Sequence, residues 1–418
     1  MSKIAIIGGG VSGASCARSL VDGGHDVTVF EAQATSGGLV RCTIENGHLF
    51  HRVGGHVFNS KKANVSEWFW SQFDQREEFH FAQRNAAISI DGGFVGYPIE
   101  NHLYQLNEQT AKAVVEELLC LSVGESKLEA ISFHDFLLGR FGQTLCERYF
   151  LPYNSKIWNL DLREMPVSWL DGKLPMPTVP DIIAANIART EEIGMVHARF
   201  YYPKKGGSQF LIERLLEGVL VKNNSRITSI TTRTGLLIDG DHFDGMIYTG
   251  DIRLLPEMLI DEEFELDVKS LKSNGTTTLL CECDANPYSW IYIPDPEIRC
   301  HRMIMTGNFS AGNNSPALES GRISCTVEFV GEVSYQEIEN VLRQLPLNAK
   351  MVASNYEANS YVIQDLRTRP LIAEIKDILL KRNIWLCGRF AEWEYFNMDA
   401  AIESALQVTA DINARLMR

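Results

Sequence analysis

The stretch Lys3–Glu31, KIAIIGGGVSGASCARSLVDGGHDVTVFE, limits what this chain can fold into more than any other. Ile4, Ile6 and Ile7 read as a buried strand, and Gly8, Gly10 and Gly13 follow with G-x-G-x-x-G spacing. An amphipathic helix comes next, then a second strand through Val27 and Val29 that ends on Glu31. Each glycine has a separate reason to be there. Gly8 permits the tight turn, Gly10 lets backbone N–H groups approach a pyrophosphate, and Gly13 allows the helix to lie close on the strand. The helix N-terminus favours the negative charge, and a carboxylate at the position of Glu31 suits ribose hydroxyls. The order strand, glycine turn, helix, strand, acid predicts a Rossmann-type dinucleotide pocket at the start of an α/β fold.

Past Glu31, Ser36-Gly37-Gly38-Leu39-Val40-Arg41 is similar to the second glycine element of glutathione-reductase-type FAD folds, so the resemblance implies FAD in place of NAD, with Gly38 against the cofactor. With 418 residues, the chain has room for two or three domains. The net charge of -14 argues against nucleic-acid binding or attraction to anionic membranes, so an anionic ligand must meet a local basic cluster. No apolar run reaches the roughly 20 residues that span a bilayer, which predicts a cytoplasmic protein without an integral membrane segment. The nine cysteines are scattered and form no C-x-x-C pair, so no metal is expected and all of them read as buried thiols.

The periodicities predict discontinuous domains. Residues 1–80, 205–260 and 380–418 form the Rossmann-type domain. Residues 103–190 are a helical insertion, with stripes at Val114, Val115, Leu118, Leu119 and at Phe133, Phe136, Leu137, Phe141. Residues 81–102, 190–204 and 270–375 make an antiparallel sheet domain that begins with a hairpin over 86–98. A helix is expected over Gln209–Leu220, short strands from Arg226 to Tyr248, and a final helix from Met398.

Four clusters then resemble one family. Cys387-Gly388-Arg389-Phe390-Ala391-Glu392-Trp393-Glu394-Tyr395-Phe396-Asn397-Met398-Asp399 is similar to the signature of the flavin-dependent UDP-galactopyranose mutases, which are related to protoporphyrinogen-oxidase-like and amine-oxidase-like FAD proteins. The resemblance implies that Arg389 lies against FAD, that Tyr395 binds a diphosphate, and that the helix opening at Met398 points its N-terminus at the flavin. Gly54-Gly55-His56-Val57-Phe58-Asn59 resembles the element beside the isoalloxazine ring, with Asn59 where the family has a second histidine. Pro152-Tyr153-Asn154-Ser155-Lys156-Ile157-Trp158 resembles the segment whose tryptophan shapes the nucleotide-sugar cleft, here Trp158. Lys173 stands where mutases carry an arginine on a substrate loop; it keeps the charge and loses the bidentate fork. Arg302, Tyr361 and, on the strand before, Tyr292 match the remaining substrate positions. The resemblance thus implies two cations, Arg302 and Arg389, and two phenols, Tyr361 and Tyr395, converging on one anion in an acidic protein.

The family's chemistry implies that reduced FAD attacks the anomeric carbon of a nucleotide sugar through N5. The nucleoside diphosphate leaves, and the ring recloses as a furanose in place of a pyranose, in the service of cell-surface polysaccharide synthesis. His56 and Asn59 would tune the flavin, and no acid–base pair is identifiable in the sequence. Asn59, Lys173 and Asn397, which replaces an aspartate, leave the sugar and base open. A homodimer is expected by the same resemblance. The rival reading is an FAD oxidoreductase of the amine-oxidase type, and a third is a flavin-binding protein without turnover.

Overall fold

The computed structural model describes residues 1–123, 130–167, 177–189, 198–261 and 266–416. The apolar runs of the opening segment become central strands of a five-stranded, wholly parallel sheet in the order Ile384–Leu386, Gly245–Tyr248, Lys3–Ile7, Asp26–Phe30, Leu220–Lys222. Parallel strands are covered on both faces, which is why Ile4, Ala5 and Ile6 are all buried and no alternation appears. One face carries Cys16, Ala17 and Leu20 of the helix Val11–Asp22, with Ala405 and Ile412 of the helix Met398–Leu416. The other packs on Ile372, Ile375 and Leu379 of the helix Thr368–Leu380, and on a small sheet of Ile230–Thr231, Leu236–Ile238 and Asp241–Phe243.

A second, seven-stranded sheet runs Lys350–Val362, Ser273–Asp284, Arg322–Val330, Arg302–Ile304, Trp290–Tyr292, Ala86–Ile90, Gly93–Gly96. Its pairings are antiparallel except between Trp290–Tyr292 and Ala86–Ile90. Helices Glu108–Val123, Phe133–Leu145, Leu151–Trp158 and Val179–Ala188 pack beside the short-strand end of this sheet, with Val114, Leu118, Phe133 and Leu137 sharing one core with Ile88, Trp290 and Tyr361. Ser132 caps the second of these helices, and Thr178 with Asp181 closes a capping box on the last.

Three expectations change. The first stripe is one residue wide per turn: Val114 and Leu118 are buried, whereas Val115 and Leu119 face outward, 36% and 47% exposed. The helix from Gln209 stops at Leu215, because Gly218 at φ +74° turns the chain so that Leu220–Lys222 can join the parallel sheet beside Phe30. Eight cysteines are buried, but Cys120, on the outer side of its helix, is exposed.

Candidate functional site

The glycine turn produces a trough of about 270 Å³. Gly8 takes φ +105°, and a Cβ there would lie 2.4 Å from Thr249 Oγ1. A Cβ on Gly13 would lie 1.9 Å from the Gly8 carbonyl oxygen, so only glycine lets the helix rest on the strand end. Gly10 opens that helix with no side chain capping it, and Gly38 faces it, with a Cβ on Gly38 only 3.2 Å from Gly10 Cα. The two backbones therefore confront each other bare, with helix N–H groups available to an anion. Glu31 lies at one end, buried, its Oε2 accepting from the Gly9 N–H and its Oε1 from the Gln33 N–H, both at 2.8 Å. Those bonds fix a carboxylate that still lines the trough. Arg389, Asn397 and Met398, at the start of the last helix, line the same trough.

A second cavity of about 220 Å³ adjoins it, and His56, Arg389, Asn397 and Met398 line both. The seven-stranded sheet delivers Tyr292, Arg302 and Tyr361 to this cavity, and the corner before the last helix delivers Tyr395. Arg302 Nη2 donates to Tyr361 Oη at 3.0 Å, and Arg302 Nε is paired with Glu328. Tyr361 and Tyr395 stack at 5.7 Å and 16°, and Trp158 meets both edge-on at 6.1 and 5.7 Å. Burial pushes the Tyr361 hydroxyl well up, so it serves as a donor throughout the usual pH range. Burial, with Arg389 and Arg302 nearby, draws His56 down to about 4, so its ring is neutral near pH 7, and its buried Nε2 has no partner among the described residues.

The structure thus brings together Arg302, Tyr361, Tyr395, Tyr292, His56, Arg389 and Met398, with Trp158 behind the tyrosines. Asn59 lines neither cavity: it follows Phe58, which pairs with Tyr201, and so lies beyond the turn of chain that carries His56. Lys173 lies outside the described residues. Arg389 is less available than expected, donating to the carbonyls of Ser360, at 2.7 Å, and Phe396 while its guanidinium lies 4.8 Å from the Tyr395 ring. It braces the corner as well as lining the cavity.

Two charged residues of the cavity were not foreseen. Arg84, half-buried, is bonded to Tyr292 and ringed by Tyr97, Trp290 and Tyr292. Glu328 is wholly buried behind Arg302 and offsets its charge. The alternation Ser324, Thr326, Glu328 between apolar Cys325, Val327 and Phe329 marks Glu328 as the one carboxylate on a polar strand face, a signal present in the sequence.

Buried histidines give the protein an acid limit. Burial is the first cause that lowers His51, to about 3, and His301, well down; both are 0% exposed. Unfolded, each titrates near 6.5, so between there and the folded pKa the unfolded chain binds more protons and stability falls as pH falls. Each residue is expected to remove about 1.4 kcal/mol per pH unit below ~6.5. Thermal melts from pH 7 to 5 should therefore drop steeply, and His301→Asn should flatten the slope; an unchanged slope would count against neutral burial.

This combination of a bare-backbone dinucleotide trough and a cation- and phenol-lined chamber on an antiparallel sheet defines a two-chambered nucleotide-binding α/β protein. Residues 6–73 match the NAD(P)-binding Rossmann-like domain. The chain is 27% identical over 178 residues to a probable UDP-galactopyranose mutase of Klebsiella pneumoniae and 27% identical over 182 residues to a dTDP-fucopyranose mutase of Escherichia coli. These alignments cover 42% of this chain and 45% and 46% of the two relatives, so they span about half of each. An L-amino acid oxidase of Bothrops pictus is 28% identical over 134 residues, 28% of this chain and 27% of its own. Among solved structures, reduced UDP-galactopyranose mutase superposes with a TM-score of 0.86 at 21% identity, covering 99% of this chain and 96% of that one. A putative protoporphyrinogen oxidase from Exiguobacterium reaches 0.73 at 16% identity, with 99% of both chains covered. The fold is that of UDP-galactopyranose mutase, as the resemblance implied.

Proposed function

We propose that this protein is an FAD-dependent nucleotide-sugar mutase that interconverts pyranose and furanose forms. The observation that carries the reading is the joining of Arg302, Tyr361 and Tyr395 in one chamber that shares His56, Arg389 and Met398 with the dinucleotide trough. The residues fit FAD: Gly10 and Gly38 leave a cradle that a side chain on either would narrow, and Glu31 is a fixed acceptor for ribose. When bound and reduced, that cofactor supplies an electron-rich nitrogen able to attack an anomeric carbon.

The chain's own residues do the rest. Arg302, held in orientation by Glu328 and Tyr361, directs its remaining N–H groups at the leaving diphosphate, and the hydroxyls of Tyr361 and Tyr395 add donors to the same anion. Trp158, packed against both tyrosines, keeps the phenol pair aligned and water out. Neutral His56 and the Gly54–Gly55 backbone border the junction. An amine-oxidase-type reaction uses the same trough, but has no use for a cation bonded to a phenol in the adjoining chamber. The matched mutases named for UDP-galactopyranose and dTDP-fucopyranose support a UDP or dTDP hexose as donor; a cytoplasmic role in polysaccharide synthesis is part of the same proposal.

The test is incubation of the protein, oxidised in air or reduced by dithionite under anaerobic conditions, with UDP-, dTDP- and GDP-sugars, followed by chromatography. Isomer formed only by the reduced protein is the expected result. No isomer from any donor, with oxygen consumed in the presence of amines, would transfer the chain to the oxidases.

A further inference from the structure

We propose that Glu328 is a positioning residue serving both halves of the site, one carboxylate oxygen holding Arg302 and the other holding His56. The inference rests on the reading of the chamber as a diphosphate site. Glu328 stands directly across the ladder from Arg302, in the strand Arg322–Val330, and is 0% exposed. Its Oε2 takes the Arg302 Nε, and its backbone carbonyl takes the His301 N–H at 3.0 Å. His301 Nε2, 3.7 Å away, competes for that same Oε2. Oε1 is different: it is buried and has no hydrogen-bond partner among the described residues.

Two ring nitrogens nearby are buried without a hydrogen-bond partner among the described residues, His301 Nε2 on the Oε2 side and His56 Nε2. Gly54 shows how Oε1 and His56 Nε2 are disposed. At φ +68° it carries no side chain, and a Cβ built there would lie 3.2 Å from Glu328 Oε1, 3.7 Å from His56 Nε2 and 3.9 Å from Arg302 Nη2. All three polar atoms therefore front one small region that only glycine keeps clear. Glu328 Oε1 and His56 Nε2 are both buried in the chamber wall. A buried polar atom left without a partner is costly, and rotation of the two side chains toward the space in front of Gly54 would join them. A carboxylate oxygen only accepts, so the bond puts the His56 proton on Nε2 and leaves Nδ1 as an acceptor. The group that aims the cation at the leaving diphosphate thereby also sets the tautomer of the histidine beside the cofactor junction.

The experiment uses the flavin-loaded protein and measures UDP affinity by tryptophan fluorescence in four forms: native, His56→Asn, Glu328→Gln, and the double variant. The hydrogen bonds of the Arg302 side chain go to Glu328 and Tyr361 and not to His56, so His56→Asn is expected to change UDP affinity at least fivefold in the native background and less than twofold in the Glu328→Gln background. Glu328→Asp keeps the charge but is one methylene too short for both partners, and it should also remove the coupling. Flavin absorbance and the melting temperature check that each variant is folded. An equal effect of His56→Asn in both backgrounds would overturn the proposal. If the native protein binds no UDP, the diphosphate reading fails. The link is then decided by nitrogen-15 spectra of labelled histidines, where His56 should be the Nε2–H tautomer in the native protein and mixed in Glu328→Gln. The same tautomer in both would refute it.

Discussion

Arg302→Ala is expected to cut turnover at least a hundredfold while the protein stays yellow. Withdrawing one positioned donor from a developing anion costs about 10²–10³ in rate, and here the donor is also the cation of the chamber anchored by Tyr361 and Glu328. Arg302 does not line the dinucleotide trough, so cofactor content should hold. Stability will not be spared, because Glu328 is left buried and unpaired, a loss on the order of 3 kcal/mol. Arg302→Lys separates the two effects: it keeps a charge near Glu328 but not the fork, so it should melt closer to the native protein and still turn over at least tenfold more slowly. Turnover within twofold of native for Arg302→Ala would remove this residue from the chemistry.

The second large effect needs only one methyl group. Gly13→Ala is expected to yield protein that is insoluble or colourless, because the new Cβ would lie 1.9 Å from the Gly8 carbonyl oxygen, and both atoms belong to rigid backbone at the strand–helix junction. Relief requires the helix to lift from the sheet, which uncovers Ile6 and carries the N–H groups of its first turn away from the trough. Gly139→Ala is the matched control: it lies inside a helix with nothing within 4 Å of the added atom, and should stabilise by roughly 0.5–1 kcal/mol. A yellow, native-melting Gly13→Ala protein would contradict the close packing described here.

Features carried by local spacing were legible before any coordinates. The glycine turn follows from steric demands within one strand–turn–helix unit, and Glu31 from its spacing after it; the second glycine element and the places of Arg302, Tyr361 and Tyr395 came from a family resemblance, Tyr395 through a long signature and the other two through short segments. What was missed is non-local. Glu328 is defined by standing opposite Arg302 on a neighbouring strand, and Arg84 by three aromatic rings from one other strand and a turn, relations that exist only once the sheet register is set. Asn59 illustrates the converse error: adjacency to a site residue in sequence does not carry a side chain into the cavity when the intervening Phe58 pairs with Tyr201. Arg389 was assigned to the cofactor by motif, and its hydrogen bonds to Ser360 and Phe396 add a bracing duty that no spacing announces.

The parallel sheet has a consequence for how the molecule comes into being. Its first strand, Lys3–Ile7, finds one neighbour at Asp26–Phe30 but the other only at Gly245–Tyr248, and the far edge is Ile384–Leu386. The helix Met398–Leu416 then covers the helix Val11–Asp22. A growing chain therefore exposes its nucleotide-binding strands and turn early and must keep them from aggregating until more than 380 residues have been made. Until that last strand arrives the edge of Gly245–Tyr248 stays unpaired, and loss of the chain beyond Val362 would remove both the strand Ile384–Leu386 and the helix that covers Val11–Asp22.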